Sequence, residues 1–307
     1  MRNYKFRLYP NLEQEYKLQN NLNVCKWVYN KFVEQAQKSF LSRNDMNYIL
    51  TELKQSEPWL YNYHSKMLQM ISTQLEGAEK SLIEKSKKGH KTGKLRFARY
   101  NEFRTFTYNQ SGFKLDNNKL FLSKIGNIRI KKHRDTPDDI KQVIVTKTRS
   151  GKWYACLTCE LVRVNPPKID FKKTVGIDVG IKSFAYDSDE HNIPNPLNLK
   201  KMLKPLVRAQ RKVSKRVKGS NNRLKAIRHL QRIHERIVNR RNDFQHKLSS
   251  IYANYYDVVF VEDLKIQNMV KPQISQKYNG FKLEFIPTKI RIQVQTVDKS
   301  PSKKHNH

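Results

Sequence analysis

The sequence predicts an α+β protein of several domains, in which an antiparallel β-barrel carries an inserted helical lobe and precedes an α/β domain. Three observations lead to this prediction. Apolar residues recur at helical spacing over 11–86, short alternating strands dominate 103–160, and beyond 166 apolar strands are separated by long helices. A chain of 307 residues is long enough for about two or three such domains.

The N-terminal part is predicted to be one strand followed by a helical lobe. Residues 4–9 alternate basic and apolar side chains, as in a half-buried strand. Asn11 followed by Gln14 predicts a capping box at the start of a long helix. Further helices are expected before and after Pro58, so that 11–86 forms a small helical unit.

A basic connector, without a single acidic residue from 85 to 99, leads from the helices into a run of strands. Turn signals divide this run into short alternating segments, which predicts an antiparallel barrel that the strand at 4–9 completes. The predicted strands are 103–108, 112–115, 119–123, 127–131, 141–148 and 152–161.

The pattern changes after Pro167, where α/β elements are expected. Strands are predicted at 174–179 and 183–186, followed by a helix that Pro205 kinks or starts, a helix over 223–253, and a strand at 258–261. Because that last strand is wholly apolar, it is expected at the centre of a covered sheet. The buried stripe of the long helix is predicted as Leu224, Ile227, Leu230, Ile233, Ile237, Phe244, Leu248 and Ile251.

These patterns predict four regions along the chain. They are a barrel formed by 1–10 and 87–165, a helical lobe at 11–86, an α/β domain at 166–271, and a tail at 272–307 without regular structure.

The charge balance indicates a protein that binds a polyanion. Lys and Arg number 61 against 27 Asp and Glu, which gives a formal net charge of +34. The alternative, a basic surface kept only for solubility, is disfavoured because self-repulsion at this charge opposes a compact fold. The sequence shows no apolar run of the roughly 20 residues that span a bilayer, no signal peptide and only three cysteines, so we expect a cytoplasmic protein that binds nucleic acid and no membrane.

Two acidic residues occur where metal-dependent chemistry would need them. Asp178 lies in the apolar strand at 174–179, and Glu262 directly follows the strand at 258–261. A charged carboxylate in a buried strand is costly unless it is paired, and Mg²⁺ is a suitable partner. Each acid alone could instead be structural, Asp178 as a turn cap and Glu262 as a helix start. Together, one acid before a β-hairpin and one after a long basic helix are typical of an RNase H-like nuclease, in which Mg²⁺ assists phosphodiester cleavage.

Positive charge is concentrated in the connector and on the two predicted helices of the α/β domain. A solvated helix surface would normally mix charges of both signs, whereas these stretches are almost free of acids, so we expect them to follow nucleic-acid phosphates. The predicted contact residues are Lys87, Lys88, Lys91, Lys94, Arg96, Arg208, Arg211, Lys212, Lys215, Arg228, Arg232, Arg236 and Arg240.

The pair Cys156 and Cys159 has the spacing of half a zinc site. In a strand, however, residues three apart face opposite sides, and the chain has no second pair. We therefore interpret both cysteines as structural and expect no zinc in this chain.

Four segments together resemble the TnpB family, also called OrfB, of insertion-sequence proteins. They are KFRLYP at 5–10, CKWVYN at 25–30, GIDVGIK at 176–182 and VEDLKIQNM at 261–269, and the resemblance covers 1 to about 271. The resemblance implies a wedge-like barrel, an inserted recognition lobe and a RuvC nuclease domain. It also implies a prokaryotic, nucleoid-associated protein that acts as an RNA-guided DNA endonuclease. Such a protein binds a guide RNA from its own element and cuts the double-stranded DNA that this RNA pairs with; no small-molecule substrate is expected.

By matching motif, Asp178 and Glu262 correspond to the first two RuvC carboxylates, which bind Mg²⁺. After Lys271 the resemblance stops, whereas the family continues with a zinc ribbon and a third catalytic aspartate. The only acids in 272–307 are Glu284 and Asp298. We therefore expect an incomplete RuvC domain, a C-terminal truncation and impaired cleavage.

Two alternatives come from other functional classes. A non-cleaving RNA- or DNA-binding protein would keep the basic surfaces without the chemistry. A third reading takes the glycines at 176 and 180 as the phosphate loop of an actin-like or Hsp70-like ATPase. That loop needs a second glycine-rich partner, which the 10 glycines of the chain do not supply, and a charge of +34 also argues against it.

Overall fold

A computed structural model describes residues 1–37, 41–99, 102–160, 173–180 and 182–261. The chain divides into two compact units, Met1–Arg163 and Val164–His307. The first contains β1 (Arg2–Tyr9), α1 (Leu12–Ala36), α2 (Arg43–Ser56), a 3-10 helix (Pro58–Asn62), α3 (Ser65–Lys87), β2 (Thr105–Asn109), β3 (Phe113–Asp116), β4 (Lys119–Leu122), β5 (Gly126–Lys131), β6 (Ile140–Lys147) and β7 (Trp153–Cys159). The second contains β8 (Thr174–Asp178), β9 (Ser183–Asp187), β10 (Asn192–Pro194), α4 (Asn198–Ser214), α5 (Asn221–Tyr255) and β11 (Val258–Val261).

This mixture of strands and helices confirms the α+β prediction. The four regions predicted within the chain stay predictions. The division into two units does not resolve a barrel from a helical lobe, and the predicted tail at 272–307 lies outside the described residues. No helix among the described residues is both long and apolar enough to cross a bilayer.

The first unit is built around one antiparallel sheet of seven strands. Its order is β2-β6-β7-β1-β5-β4-β3, so the first strand of the chain lies in the middle of the sheet. Alternation in β1 puts Phe6 and Leu8 into the core, where they are 1% and 0% exposed, while Lys5 and Tyr9 face outwards. β1 therefore holds the sheet together, as the alternation in the sequence predicts.

The helical insertion begins with the predicted capping box. The Asn11 side chain accepts a hydrogen bond from the Gln14 amide at 2.8 Å, and the Gln14 side chain accepts one from the Asn11 amide at 3.1 Å. α1 buries Leu22, Val28 and Phe32 in the same core as the sheet. Helices and sheet of this unit thus share one hydrophobic core.

The second unit contains a four-stranded sheet of order β10-β9-β8-β11, with β11 parallel to β8 and the other pairs antiparallel. The prediction that 258–261 lies at the centre of a covered sheet is wrong for the described residues. Among these, β11 forms one edge of the sheet, and Phe260 is 60% exposed. An apolar run therefore predicts a strand here, but it shows neither how many neighbouring strands it has nor how deeply its side chains are buried.

The two long helices of this unit pack along each other through Met202, Leu206 and Ile233. α4 starts at Asn198 and continues through Pro205, so Pro205 does not start the helix.

The predicted stripe of α5 is wrong at two of its eight positions. Leu224 and Ile251 are 49% and 52% exposed, whereas Ile233 is buried against α4. Near the end of α5, the buried side chain that follows Leu248 is Tyr252, which packs on the sheet. Ile251 and Tyr252, three and four positions beyond Leu248, both lie close to the side of the helix that carries Leu248. Which of the two is buried therefore depends on contacts outside the helix.

Candidate metal site and nucleic-acid surfaces

Asp178 is the last residue of β8, a strand that is buried on one side only. Val175 and Ile177 are 1% and 7% exposed and pack against Tyr252 of α5. Asp178 follows in the alternation and pairs with Tyr186 of β9, which is itself 48% exposed. The sheet therefore presents Asp178 on the side away from its apolar core.

The expectation that the carboxylate of Asp178 is buried is wrong, because the side chain is exposed. The strand contains apolar residues, but its end projects beyond the core. Among the described residues, no hydrogen bond or ion pair to the Asp178 carboxylate is found. Both oxygens are thus accessible as ligands for a hard cation, which is the type of donor that Mg²⁺ selects.

Glu262, the second predicted ligand, lies outside the described residues. The residue before it is described: Val261 pairs with Ile177, which is the neighbour of Asp178. Within the described ranges, no group of three or more His, Cys, Asp or Glu side chains could hold a metal ion. Asp178 alone therefore represents the predicted metal site in the structure, and the pairing of the two acids stays a prediction.

A second carboxylate near this strand, that of Asp187, was not predicted from the sequence. It lies in β9 opposite Ile177 and is 3% exposed. Burial would raise the pKa of Asp187, but hydrogen bonds from the His191 amide and the Tyr252 hydroxyl outweigh that effect and lower it. The available signal was the position of Asp187, two residues after Ala185 and therefore on the buried side of the hairpin.

The partner of Asp187 on the helix is Tyr252. Its hydroxyl donates to the Asp187 carboxylate at 2.8 Å, and burial together with this negative partner raises the pKa of Tyr252. One turn later, the hydroxyl of Tyr256 donates to Asp189. This hydrogen bond is the main reason why the pKa of Tyr256 is raised to about 12. Both tyrosines are thus held in their neutral, donating form.

The basic residues predicted on α4 lie on its exposed surface. Arg208, Arg211, Lys212 and Lys215 recur every three or four residues and, with Arg216, line an open groove of about 460 Å³. The opposite side of α4 is apolar and packs on α5. The groove carries only positive side chains and suits a chain of phosphates better than an apolar ligand.

The basic residues of α5 and of the connector are exposed as well. On α5, a helix of 35 residues, they are Arg228, Arg232, Arg236 and Arg240, which follow one another at four-residue intervals. In the connector, the exposed basic side chains are Lys87, Lys88, Lys91, Lys94 and Arg96. Among the described residues, none of these side chains, nor any of the four on α4, forms an ion pair with an acid. Their charge is thus available to an external anion, and their role in nucleic-acid binding stays a prediction.

The two neighbouring cysteines of β7 are free thiols with different surroundings. Cys156 is half-buried beside Lys5, whereas Cys159 is buried. Burial raises the pKa of both thiols, which disfavours the thiolate that metals and disulfide exchange require. The interpretation of the pair as structural stays a prediction.

Comparison with known families gives two matches. A family described as a probable transposase, OrfB of IS605, matches residues 157–273, which include Asp178. A helix-turn-helix domain of the same family matches residues 1–44. Among its described residues, that second stretch contains β1, α1 and the first two residues of α2, so it includes a strand as well as helix.

Two curated relatives share about one third of their aligned residues with the chain. "Putative RNA-guided DNA endonuclease InsQ" of Escherichia coli (strain K12) is 32% identical over 279 residues, which cover 87% of this chain and 67% of the relative. "Putative RNA-guided DNA endonuclease" of Streptomyces pristinaespiralis is 32% identical over 285 residues, which cover 88% of this chain and 68% of the relative. The similarity thus includes almost all of this chain and about two thirds of either relative.

Solved structures with some similarity are of Cas12f proteins. They include the cryo-EM structure of a Cas12f1–sgRNA–target DNA complex, at 12% identity and a TM-score of 0.40, covering 86% of this chain and 81% of that one. A CRISPR-Cas12f ternary complex gives 13% identity and a TM-score of 0.30, covering 82% and 63%. TM-scores of this size are too low to assign a fold.

Proposed function

The chain belongs to the OrfB family of IS605 probable transposases, and we propose that it acts as an RNA-guided DNA endonuclease with Asp178 as a magnesium ligand. The main support is the 32% identity, over 87% of this chain, to a relative that bears this activity in its name. The exposed carboxylate of Asp178, at the end of a strand that the matched family segment includes, supports the role of that residue.

The proposed metal site combines Asp178 with Glu262. Val261 pairs with Ile177 in parallel register, and if that register continues by one residue, Glu262 lies beside Asp178. Two carboxylates at the same edge of a sheet supply the oxygen ligands that Mg²⁺ prefers. Mg²⁺ bound there would activate water and stabilise the leaving oxygen of a phosphodiester. The contribution of Asp178 itself is to hold the ion at the end of β8.

The proposed nucleic-acid partners are a guide RNA from the protein's own element and a double-stranded DNA target. The exposed cations of α4, α5 and the connector would position the phosphates, while base pairing between RNA and DNA reads the sequence. In this proposal, the seven-stranded sheet with its helical insertion is the wedge-like barrel and recognition lobe, and the second unit is the RuvC domain.

The experiment that tests the proposal starts from the RNA that the protein binds. The gene is expressed with its flanking DNA, the bound RNA is sequenced, and the complex is incubated with Mg²⁺ and plasmids that carry a complementary target beside randomised flanks. Because impaired activity is expected from the sequence, we expect weak cleavage, of matched plasmids only, and its loss in Asp178→Asn without loss of RNA. Retention of matched DNA without any cleavage would refute the endonuclease and favour a non-cleaving RNA- or DNA-binding protein.

A further inference from the structure

The side of the seven-stranded sheet that faces away from the core carries aromatic and basic side chains next to one another. Antiparallel residues that lie directly opposite each other share one side of a sheet, so the register shows which side chains are neighbours. Two neighbouring rows, each across three strands, are Tyr154–Arg7–Lys131 and Tyr9–Arg129–Lys119. We call these six side chains the aromatic–basic face.

The charge of the aromatic–basic face is almost uncompensated. Among the described residues, none of its four cations forms an ion pair, although Asp116 lies opposite Lys119 on the neighbouring strand. Tyr9 is 48% exposed, so its ring is accessible from the solvent. The face therefore suits an anionic ligand that also has planar, apolar groups.

Arg7 holds the two tyrosines of the face in place. Its guanidinium carbon lies 5.3 Å from the ring centroid of Tyr9 and 5.2 Å from that of Tyr154. The guanidinium also donates a hydrogen bond of 2.8 Å to the Trp153 carbonyl, which restricts its own motion. Both rings thus have defined positions before a ligand binds, and little further ordering is needed when a planar group stacks on them.

An open depression of about 410 Å³ adjoins the face at the end of β1 and is lined by Tyr9. Its lining also includes Lys119 and Arg129 and the side-chain amides of Asn118 and Asn127. Among the described residues, neither of these two amides forms a hydrogen bond within the protein. Since an amide supplies two donors and an acceptor, the depression combines an aromatic ring, positive charge and unused hydrogen-bonding groups.

This combination favours unpaired nucleotides over the other anionic ligands. Aromatic rings stack with bases that are not already stacked in a duplex, while neighbouring cations bind the phosphates. A duplex would present mainly phosphates, which need no tyrosines, and an acidic protein would lack the planar bases. The free amides favour RNA over DNA, because the ribose 2′-hydroxyl both donates and accepts hydrogen bonds.

We propose that the aromatic–basic face and the adjoining depression form a binding site for an unpaired stretch of RNA. Bases stack on Tyr9 and Tyr154, and phosphates bind to Arg7, Arg129 and Lys131. This site shares no residue with the basic surfaces of α4, α5 and the connector. It rests on the proposed function only in that RNA is the partner.

The test compares Tyr9→Ala with Tyr48→Ala in the full chain. Tyr48 is a matched control, because it is 73% exposed but lies on α2 and not on the sheet. Fluorescence anisotropy measures the affinity for a labelled RNA of about ten nucleotides, the length that one such site covers. The same RNA paired with its complement, and single-stranded DNA of the same sequence, are measured in parallel at 200 mM salt, where contacts to phosphates alone are weak.

For Tyr9→Ala we expect the affinity for unpaired RNA to fall about tenfold, which is the effect of removing one stacking ring. Affinity for the RNA duplex should change by less than about twofold, because its bases are not available to the ring. Tyr9→Phe keeps the ring and should bind as the wild type does, and so should Tyr48→Ala. Circular dichroism shows that each variant is folded.

The amide and the cation of the depression are tested separately. The wild type should prefer RNA over DNA about fivefold, the effect of one hydrogen bond, and Asn127→Ala should remove most of this preference. Arg129→Ala should lower the slope of log affinity against log salt by about 0.7, as one phosphate contact to a single strand does. Arg43→Ala, which removes an exposed cation of α2, should leave the slope unchanged.

Photocrosslinking locates the bound RNA directly. An RNA that contains 5-iodouridine forms covalent bonds under ultraviolet light with aromatic rings that stack on the modified base. Mass spectrometry of the digested complex should find the crosslink on Tyr9 or Tyr154. Crosslinks confined to other parts of the chain would overturn the proposal.

The proposal is also overturned by wild-type affinity of Tyr9→Ala for unpaired RNA, by an equal loss for the duplex, or by an equal loss in Tyr48→Ala. Equal affinity of the wild type for RNA and DNA would refute RNA as the ligand. A sedimentation coefficient that changes in Tyr9→Ala without RNA would assign the face to contacts between copies of the chain instead. Tyr9-dependent binding of unpaired RNA without guided cleavage would support this site and refute only the endonuclease.

Discussion

Removal of the four cations on α4 should weaken nucleic-acid binding far more than the small change in net charge alone would. In the variant, Arg208, Arg211, Lys212 and Lys215 are replaced by Ala, which lowers the formal net charge from +34 to +30. All four side chains are exposed and face one groove of about 460 Å³. Alanine preserves helix propensity and leaves the apolar side of α4 in place.

The magnitude follows from counterion release. Each neutralised phosphate of duplex DNA contributes about 0.9 to the slope of log affinity against log salt, so four contacts contribute about 3.6. Between 50 and 200 mM salt the affinity of the wild type should therefore fall about 150-fold more than that of the variant. Filter binding with a labelled duplex at five or six salt concentrations measures both slopes.

The chain offers a control with the same change in charge. The control variant replaces four lysines that already pair with acids in the structure. Because these lysines are already paired, their replacement by Ala should change the slope by less than one phosphate contact would. They are Lys17, Lys31, Lys80 and Lys141. Equal slopes for the two variants would refute a phosphate-binding groove on α4 and would show that only the total charge matters.

Three further predictions concern stability. Gly112→Ala should destabilise the first unit by about 1–3 kcal/mol, because Gly112 has a φ of +83° and an added Cβ would meet the imidazole of His64; Gly89→Ala, at a φ of +73° with open space around it, should cost less in the same thermal unfolding experiment. Asn11→Ala should remove the capping box and cost about 1 kcal/mol in urea unfolding, and no change would refute the role of the cap. The pKa of Asp187 is lower in the folded state, so the carboxylate stabilises the fold at pH values above its usual pKa of about 4, and this stabilisation is lost as the pH falls further. In Asp187→Asn, the thermal midpoint should therefore depend less on pH between about pH 5 and 3 than in the wild type.

Local features of the sequence predicted the secondary structure well. The capping box at Asn11 and Gln14 is formed as expected, because its partners lie three residues apart and depend on nothing distant. β1 likewise follows from alternation alone. By contrast, β10 was missed, because a strand of three residues that ends in a proline has too little pattern to detect.

Burial could not be predicted in the same way, since it depends on contacts between distant segments. Ile251 and Tyr252 fit the helical phase almost equally, and Tyr252 is buried because it packs on the sheet and its hydroxyl meets Asp187. The exposure of Asp178 follows from where β8 ends relative to the core, which the composition of the strand does not show. Asp178 could therefore be predicted as a metal ligand from a residue type in a motif, whereas the hydrogen bonds of Asp187 became visible only in three dimensions.

One binding measurement shows whether the chain recognises DNA through its RNA. The complex of the chain with its own RNA is titrated at 200 mM salt against two duplexes of equal length, one complementary to the RNA and one scrambled. We predict that the matched duplex is retained at a concentration at least about tenfold lower, and only when the RNA is present, because base pairing carries the specificity and the cations of α4 and α5 do not. Equal retention of both duplexes, or retention that is independent of the RNA, would contradict the account.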